Sequence, residues 1–410
     1  MALDAEMFSW WRNEMKKIVL GKKNAVASTL APPSAFVRRV PVAAVRDKFQ
    51  GCMLGGAVGD ALGAPVEFMS REEILRQFGK QGITDMVPAY GVLGAITDDT
   101  QMMLFTAEGL LRGYVRAYLR GFCNRPGVIA YAYQRWLFTQ GQIPETKVSF
   151  LDGWLITHKA LFSQRAPGLT CLSALKDTEM RGQPARNNSK GCGGVMRVAP
   201  VGMMVQAVYP HSLEAPGGAL LKAFDLACEA AALTHGHPTG QLASGAFAGL
   251  IYLLLDGVTL TEAVQKVLQL LSTREHHAET TNALRKAVRL AQEDGVTHDA
   301  IQALGEGWVA EEALAIGLYS ALRATDFESG VVLAVNHSGD SDSTGLIAGH
   351  LLGAIHGLGA IPPRWLEPLE LRDVIEEVAD DVATVGQWLL DGDGDATGEA
   401  DFYCSRYPGA

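Results

Sequence analysis

The sequence predicts an all-α fold, on three observations. Apolar residues recur at helical spacing along most of the chain from about residue 44, strand-like alternation is scarce, and the intervening segments have the composition of loops. The helical stretches fall near residues 46–63, 100–120, 217–233, 239–256, 260–271, 278–293, 309–323, 343–358 and 372–390, with loops at 88–98 and 181–194. Helical spacing also runs through the first 23 residues (Phe8, Trp11, Met15, Val19), with cations toward the end that suit the helix dipole. Residues 24–43 are rich in Ala and Pro and carry Pro32, Pro33 and Pro41, which interrupt regular structure. The chain therefore divides into an N-terminal helix and extended arm, residues 1–43, and a body, residues 44–410.

Two of the helices share an unusual stripe. Gly51, Gly55, Gly59 and Gly63 recur every fourth residue, and so do Gly345, Gly349, Gly353 and Gly357. A glycine inside a helix costs about 1 kcal/mol relative to alanine, so eight need a compensating reason, and close backbone approach supplies one. A membrane reading of the spacing is poor, because Asp60 interrupts the first series and His350 and His356 the second. These helices are expected at the centre of a bundle; packing against each other would satisfy both stripes.

Composition narrows the function classes. With 48% hydrophobic and 20% charged residues, 410 residues suffice for a large core. A net charge of -10 argues against sequence-independent nucleic-acid binding, which depends on Lys and Arg. The six cysteines are scattered and read as reduced thiols. The N-terminus puts acids before bases, unlike a secretory signal, and no uninterrupted apolar stretch reaches about 20 residues, so a cytoplasmic protein is expected.

Chemistry concentrates in two acidic runs. Thr97-Asp98-Asp99-Thr100 opens an amphipathic helix, where Thr or Asp can serve simply as an N-cap. Gly339-Asp340-Ser341-Asp342-Ser343-Thr344-Gly345 opens the second glycine-striped helix. Adjacent carboxylates repel unless a cation holds them, and these hard oxygens suit Mg²⁺ or Mn²⁺ rather than Zn²⁺. Two such clusters could hold two ions, which together polarise a substrate oxygen and activate water. Gly191-Cys192-Gly193-Gly194-Val195-Met196-Arg197 could bring backbone N–H groups close to a phosphate or ribose, or be only a loop. Asp391-Gly392-Asp393-Gly394-Asp395 fails as a calcium loop, because Ala396 stands where Gly is needed and Phe402 where Glu is needed.

The segment from Gly55 through Asp60 to Gly63 with Glu67, the Thr97 to Thr100 run and the Gly339 to Ser343 run, in this order, resemble the ADP-ribosylglycohydrolase family, which includes the dinitrogenase-reductase-activating glycohydrolases and ADP-ribosylhydrolases. The resemblance implies a compact multi-helix bundle with a binuclear metal site. Thr97, Asp98, Asp99, Asp340, Asp342 and Ser343 would then hold two Mg²⁺ ions, with Mn²⁺ an alternative. Glu67, Asp98 and Asp99 would be the catalytic carboxylates, although Glu67 taken alone reads as a surface acid. Gly191, Cys192, Gly193 and Gly194 would bind substrate, Cys192 standing where many members have Asn, and His235 would lie near the diphosphate. Asp60 is expected to be structural, and the sequence leaves open whether Asn336 and His337 line the pocket.

The implied activity is removal of ADP-ribose from a protein side chain, most often arginine, with serine and other linkages in relatives. Some bacterial members are immunity proteins against ADP-ribosyltransferase toxins. The arm suits that role, with Phe8, Trp10, Trp11 and Ile18 as anchors and the cations Arg12, Lys16, Lys17, Lys22 and Lys23. It suits equally a helix docked on its own domain or a dimerisation element. The alternatives kept are a mainly non-catalytic inhibitor of such a transferase, and a metallohydrolase acting on another ADP-ribose-like substrate.

Overall fold

The structure, a computed structural model, describes residues 41–142, 151–177, 182–210, 218–295, 297–390 and 398–409. The expected N-terminal helix, nearly all of the arm and the acidic segment from Asp391 to Asp395 lie outside the described residues.

In chain order the helices are α1 (Ala43–Gly63), α2 (Arg71–Phe78), α3 (Asp98–Arg120), α4 (Arg125–Thr139), α5 (Leu169–Lys176), α6 (Ala199–Val208), α7 (Gly218–Ala232) and α8 (Pro238–Leu255). They continue with α9 (Leu260–Leu271), α10 (Ala278–Gln292), α11 (Thr297–Leu304), α12 (Ala310–Arg323), α13 (Phe327–Val335), α14 (Ser341–His356), α15 (Pro363–Leu366), α16 (Arg372–Thr384) and α17 (Glu399–Arg406). The nine helical stretches expected in the body are all present, most ending within two residues of the sequence reading. The last is shorter: the helix stops at Thr384, and a 3-10 turn containing Gly386 follows.

Several helices that periodicity did not announce are also present. Helix α6 carries Pro200 in its first turn and Gly202 inside, and α13 is apolar on nearly every side, so neither shows a clean stripe. Both are fixed by tertiary packing, α6 on α8 and α13 on α14. Within the expected loop 88–98 a short hairpin pairs Pro88–Ala89 (β1) with Val92–Leu93 (β2). Its turn places Tyr90 at φ +52° and Gly91 at φ +80°, the left-handed pair that a tight hairpin requires.

The centre of the bundle is the antiparallel pair α1 and α14. A methyl group on Gly51 would come within 2.5 Å of the Gly357 carbonyl carbon, and methyls on Gly55, Gly59 and Gly63 would strike the carbonyl oxygens of Gly349, Gly345 and Ser341. The reverse holds for Gly345, Gly349 and Gly353 against Gly59, Gly55 and Gly51. The two stripes therefore face each other, backbone against backbone. Gly56 has a separate reason: the His350 imidazole fills the space a side chain would need, with Nδ1 2.8 Å from the Cys52 carbonyl. Around this pair pack α9-flanked α8, α12, α13 and α16. Among the described residues α8 is the one helix long and apolar enough to cross a membrane, but 89% of it is buried inside the protein. All six cysteines are free thiols.

Replacing Gly349 by Ala is expected to destabilise the protein by about 3 kcal/mol, because a methyl there meets the Gly55 backbone rather than a side chain that can move. Gly359→Ala, with nothing within 4 Å of the added carbon, should shift the melting temperature little. Thermal melts of the two variants check this.

Candidate metal centre and substrate site

Three helix ends converge at one end of the α1–α14 pair. Gly63, the last residue of α1, sits where a methyl would come 2.5 Å from the Asp342 Cα, at the first turn of α14. One turn earlier, Asp60 accepts hydrogen bonds from the backbone N–H of Thr97 (3.0 Å) and of Thr100 (3.2 Å), capping the start of α3 from outside that helix. The tight glycine packing thus sets the separation between the two acidic runs. Two helix N-termini aim their partial positive charge at the same place, which favours anionic groups there.

The runs meet side chain to side chain. The Ser343 hydroxyl donates to Asp99 at 2.7 Å, and the Ser343 N–H donates to Asp342 at 2.9 Å. Thr97 caps α3 by accepting from the Asp99 N–H (3.2 Å), and its side chain lies beside Asp342. Asp98 accepts from the Gly168 N–H at 3.1 Å. Thr97, Asp98, Asp99, Asp340, Asp342 and Ser343 are therefore brought into one cluster, as is Glu67, which returns from the turn after α1. Glu67, Asp340 and Asp342 each offer a carboxylate oxygen within 4.8 Å of the other two. Asp60 stays in its capping role beneath them.

Asp60, Glu67, Asp98, Asp99, Asp340 and Asp342 are all buried, none more than 7% exposed. Among the described residues no lysine or arginine forms an ion pair with any of them. Arg165, whose carbonyl accepts the Asp98 N–H, pairs instead with Glu370 at 3.1 Å. Burial, then the charge of Asp342, pushes Asp60 up to about 7. Burial, then Asp342, Asp340, Asp98 and Asp60, pushes Glu67 up to about 11. Asp98, Asp99, Asp340 and Asp342 are raised as well, burial again the largest cause.

Glu67 Oε2 and Asp340 Oδ2 are buried with no hydrogen-bond partner. A buried carboxylate oxygen without a partner costs more than about 1 kcal/mol, so two of them side by side mark a place where something positive belongs. Carboxylate and hydroxyl oxygens are the donors that Mg²⁺ and Mn²⁺ prefer, and the residues present fit such ions.

The glycine-rich run borders this cluster. Cys192–Gly194 form a 3-10 turn, and the Cys192 thiol lies beside Asp340 and Ser343. Gly191 bridges to Val309, and the Cys192 N–H donates to the Trp308 carbonyl at 3.2 Å. His235 packs beneath the turn: methyls on Gly193 and Gly191 would lie 3.1 and 3.4 Å from its ring. It is 1% exposed, and burial followed by the neighbouring Arg197 charge lowers its pKa to about 3, so it is neutral. Arg197, itself fully buried, donates to Thr234 (2.6 Å) and stacks 4.2 Å from the Tyr133 ring centre.

Asn336 and His337 lie off the site. Asn336 holds Ile83 through both backbone groups, and His337 bonds to Thr344 at 2.8 Å within the base of α14. Sequence reasoning passed over three aromatics at the rim: Phe68, next to Glu67; Trp308, next to a glycine packed on Asp340; and Tyr90, on the hairpin turn. Their signal was only adjacency, since exposed aromatics carry no period.

Residues 41–390 match the family model described as ADP-ribosylglycohydrolase. The chain is 32% identical over 346 residues to an uncharacterized protein of Archaeoglobus fulgidus, covering 82% of this chain and 95% of that one. It is 26% identical to the ADP-ribosyl-[dinitrogen reductase] glycohydrolase of Rhodospirillum rubrum, covering 80% and 92%, and 23% identical to the ADP-ribosylarginine hydrolase Tri1 of Pseudomonas putida, covering 87% and 80%. A solved ADP-ribosylglycohydrolase-related protein complex superposes with a TM-score of 0.59 at 28% identity, covering 83% of this chain and 99% of that one.

The raised carboxylates fix the sign of a pH effect. Their folded-state pKa values exceed the unfolded ones of about 4, so the folded protein holds protons that the unfolded chain releases, and stability is lost as pH rises from about 4 through about 7 for Asp60 and beyond for Glu67. Chelated protein should therefore melt at progressively lower temperature between about pH 5 and pH 9, and saturating Mg²⁺ should remove most of that slope. Melting curves across this range with and without Mg²⁺ make the comparison.

Proposed function

We propose that this chain, which belongs to the ADP-ribosylglycohydrolase family, is a Mg²⁺-dependent hydrolase that removes ADP-ribose from a modified protein side chain, arginine first among the linkages. The observation that carries this reading is the buried set of carboxylates with two unpartnered oxygens, in a chain matched to the family over residues 41–390. The arginine linkage is supported by the likeness to the Tri1 hydrolase, at 23% identity.

Thr97, Asp98, Asp99, Asp340, Asp342 and Ser343 would hold two ions. When bound, these ions supply a Lewis acid for the ribose hydroxyls and an activated water. The protein's own part is positioning and proton transfer. Asp98 is pinned by the Gly168 N–H and Asp99 by the Ser343 hydroxyl, which suits them to fixed ligation. Glu67 keeps a free oxygen beside Asp340 and Asp342, which suits it to accept a proton from water attacking the anomeric carbon and deliver it to the departing guanidine nitrogen. One C–O bond forms as the C–N bond breaks, and the proton moves from the water to the leaving group. The turn Gly191, Cys192, Gly193 and Gly194, backed by neutral His235, offers backbone groups to the diphosphate and ribose.

A second role belongs to residues 1–43. The family match starts at residue 41, which leaves this arm almost wholly outside the matched part, and its aromatics and cations suit capture of an ADP-ribosyltransferase toxin.

Asp98→Ala and Asp340→Ala should each reduce Mg²⁺-dependent release of ADP-ribose from an ADP-ribosylated arginine protein by about 100-fold or more. Release by the wild type that needs no metal, or that survives both substitutions, contradicts the reading. Deletion of residues 1–40 should leave release unchanged while weakening binding of a transferase toxin measured by calorimetry; equal binding would remove the second role.

A further inference from the structure

The aromatic rim of the acidic site is not used by the chemistry above. Phe68 is 71% exposed and Trp308 38%, and their rings stack on each other at 5.8 Å with 17° between planes. Each ring is tied by its chain neighbour to the carboxylates. Phe68 directly follows Glu67; Trp308 directly follows Gly307, where a methyl would come 3.2 Å from the Asp340 Cβ. Glu67 and Asp340 belong to the same 4.8 Å group. The ring pair is therefore carried by the same two chain segments that border the unpartnered oxygens Glu67 Oε2 and Asp340 Oδ2.

We propose that the Phe68–Trp308 pair is the platform that receives the planar cationic guanidinium of the modified arginine, and so sets the linkage the enzyme prefers; this rests on the hydrolase reading of the same site. Three observations select this occupant. A cation gains from both the ring faces and the carboxylates carried by the adjoining residues, whereas a neutral leaving hydroxyl gains from neither. The adenine base is separated from the reacting carbon by a ribose and a diphosphate, so rings adjoining Glu67 are placed for the leaving group. The rim already shows this type of contact: the Arg165 guanidinium lies 5.4 Å over the Tyr90 ring, while among the described residues no cation stacks on Phe68 or Trp308.

The test compares the wild type with the F68A/W308A double variant and with Trp308→Phe, which keeps a ring. The double variant should raise KM for ADP-ribosylated arginine roughly tenfold with kcat little changed, and leave KM for serine-linked ADP-ribose and the affinity for free ADP-ribose unaltered. Trp308→Phe should restore most of the loss. An equal rise for both linkages, together with weaker ADP-ribose binding, overturns the proposal by assigning the pair to the ADP-ribosyl group. Ligand-observed NMR with agmatine, a free guanidinium probe, reads the platform without catalysis. Agmatine bound by the wild type and lost from the double variant supports the platform even if no linkage is cleaved and the hydrolase reading fails. Agmatine bound equally by both, or by neither, overturns it.

Discussion

Backbone-to-backbone contact between α1 and α14 is the constraint on which the remainder of the molecule depends. Seven of the eight striped glycines place their Cα hydrogens against the opposing main chain, so the two helices approach more closely than any side chain would allow. The cost of so many helical glycines is set against a gain in position. With the axes this close, the end of α1 lies against the first turn of α14, and Asp60 on α1 reaches across to cap α3.

The electrostatics follow from that geometry. Six carboxylates are buried together with two helix N-termini and several hydroxyls as their support, and without a paired cation among the described residues. Hydrogen bonds and helix ends offset part of the repulsion but leave oxygens of Glu67 and Asp340 unmatched. Such an arrangement costs the fold stability at neutral pH, and a divalent cation held there would offset that cost. Stability and the proposed chemistry meet at this point: the carboxylates whose burial costs the fold stability are the residues proposed to act.

Much of this was legible in the sequence, for physical reasons that differ by element. Long amphipathic helices such as α3 and α10 declare themselves by period, and the glycine stripes declare close packing because nothing else compensates their cost. The acid-hydroxyl runs at Thr97 and Asp340 were readable because repelling carboxylates at a helix start imply a cation. Helices α6 and α13 were not, since Pro200, Gly202 and an all-round apolar surface blur the period that tertiary contact later overrides. Glu67 looked like a surface acid until the turn after α1 folded it back onto Asp340 and Asp342. The rim pair Phe68 and Trp308, 240 positions apart in the sequence, meets only in the folded chain.

Counting ions decides whether the buried carboxylates bind divalent cations. Equilibrium titration of the full chain with Mn²⁺, followed by electron paramagnetic resonance of the free ion, should give two bound ions per chain, with at least one lost in Asp342→Asn. Failure of the wild type to bind Mn²⁺, or unchanged binding in Asp342→Asn, would mean that these carboxylates are not a divalent-cation site.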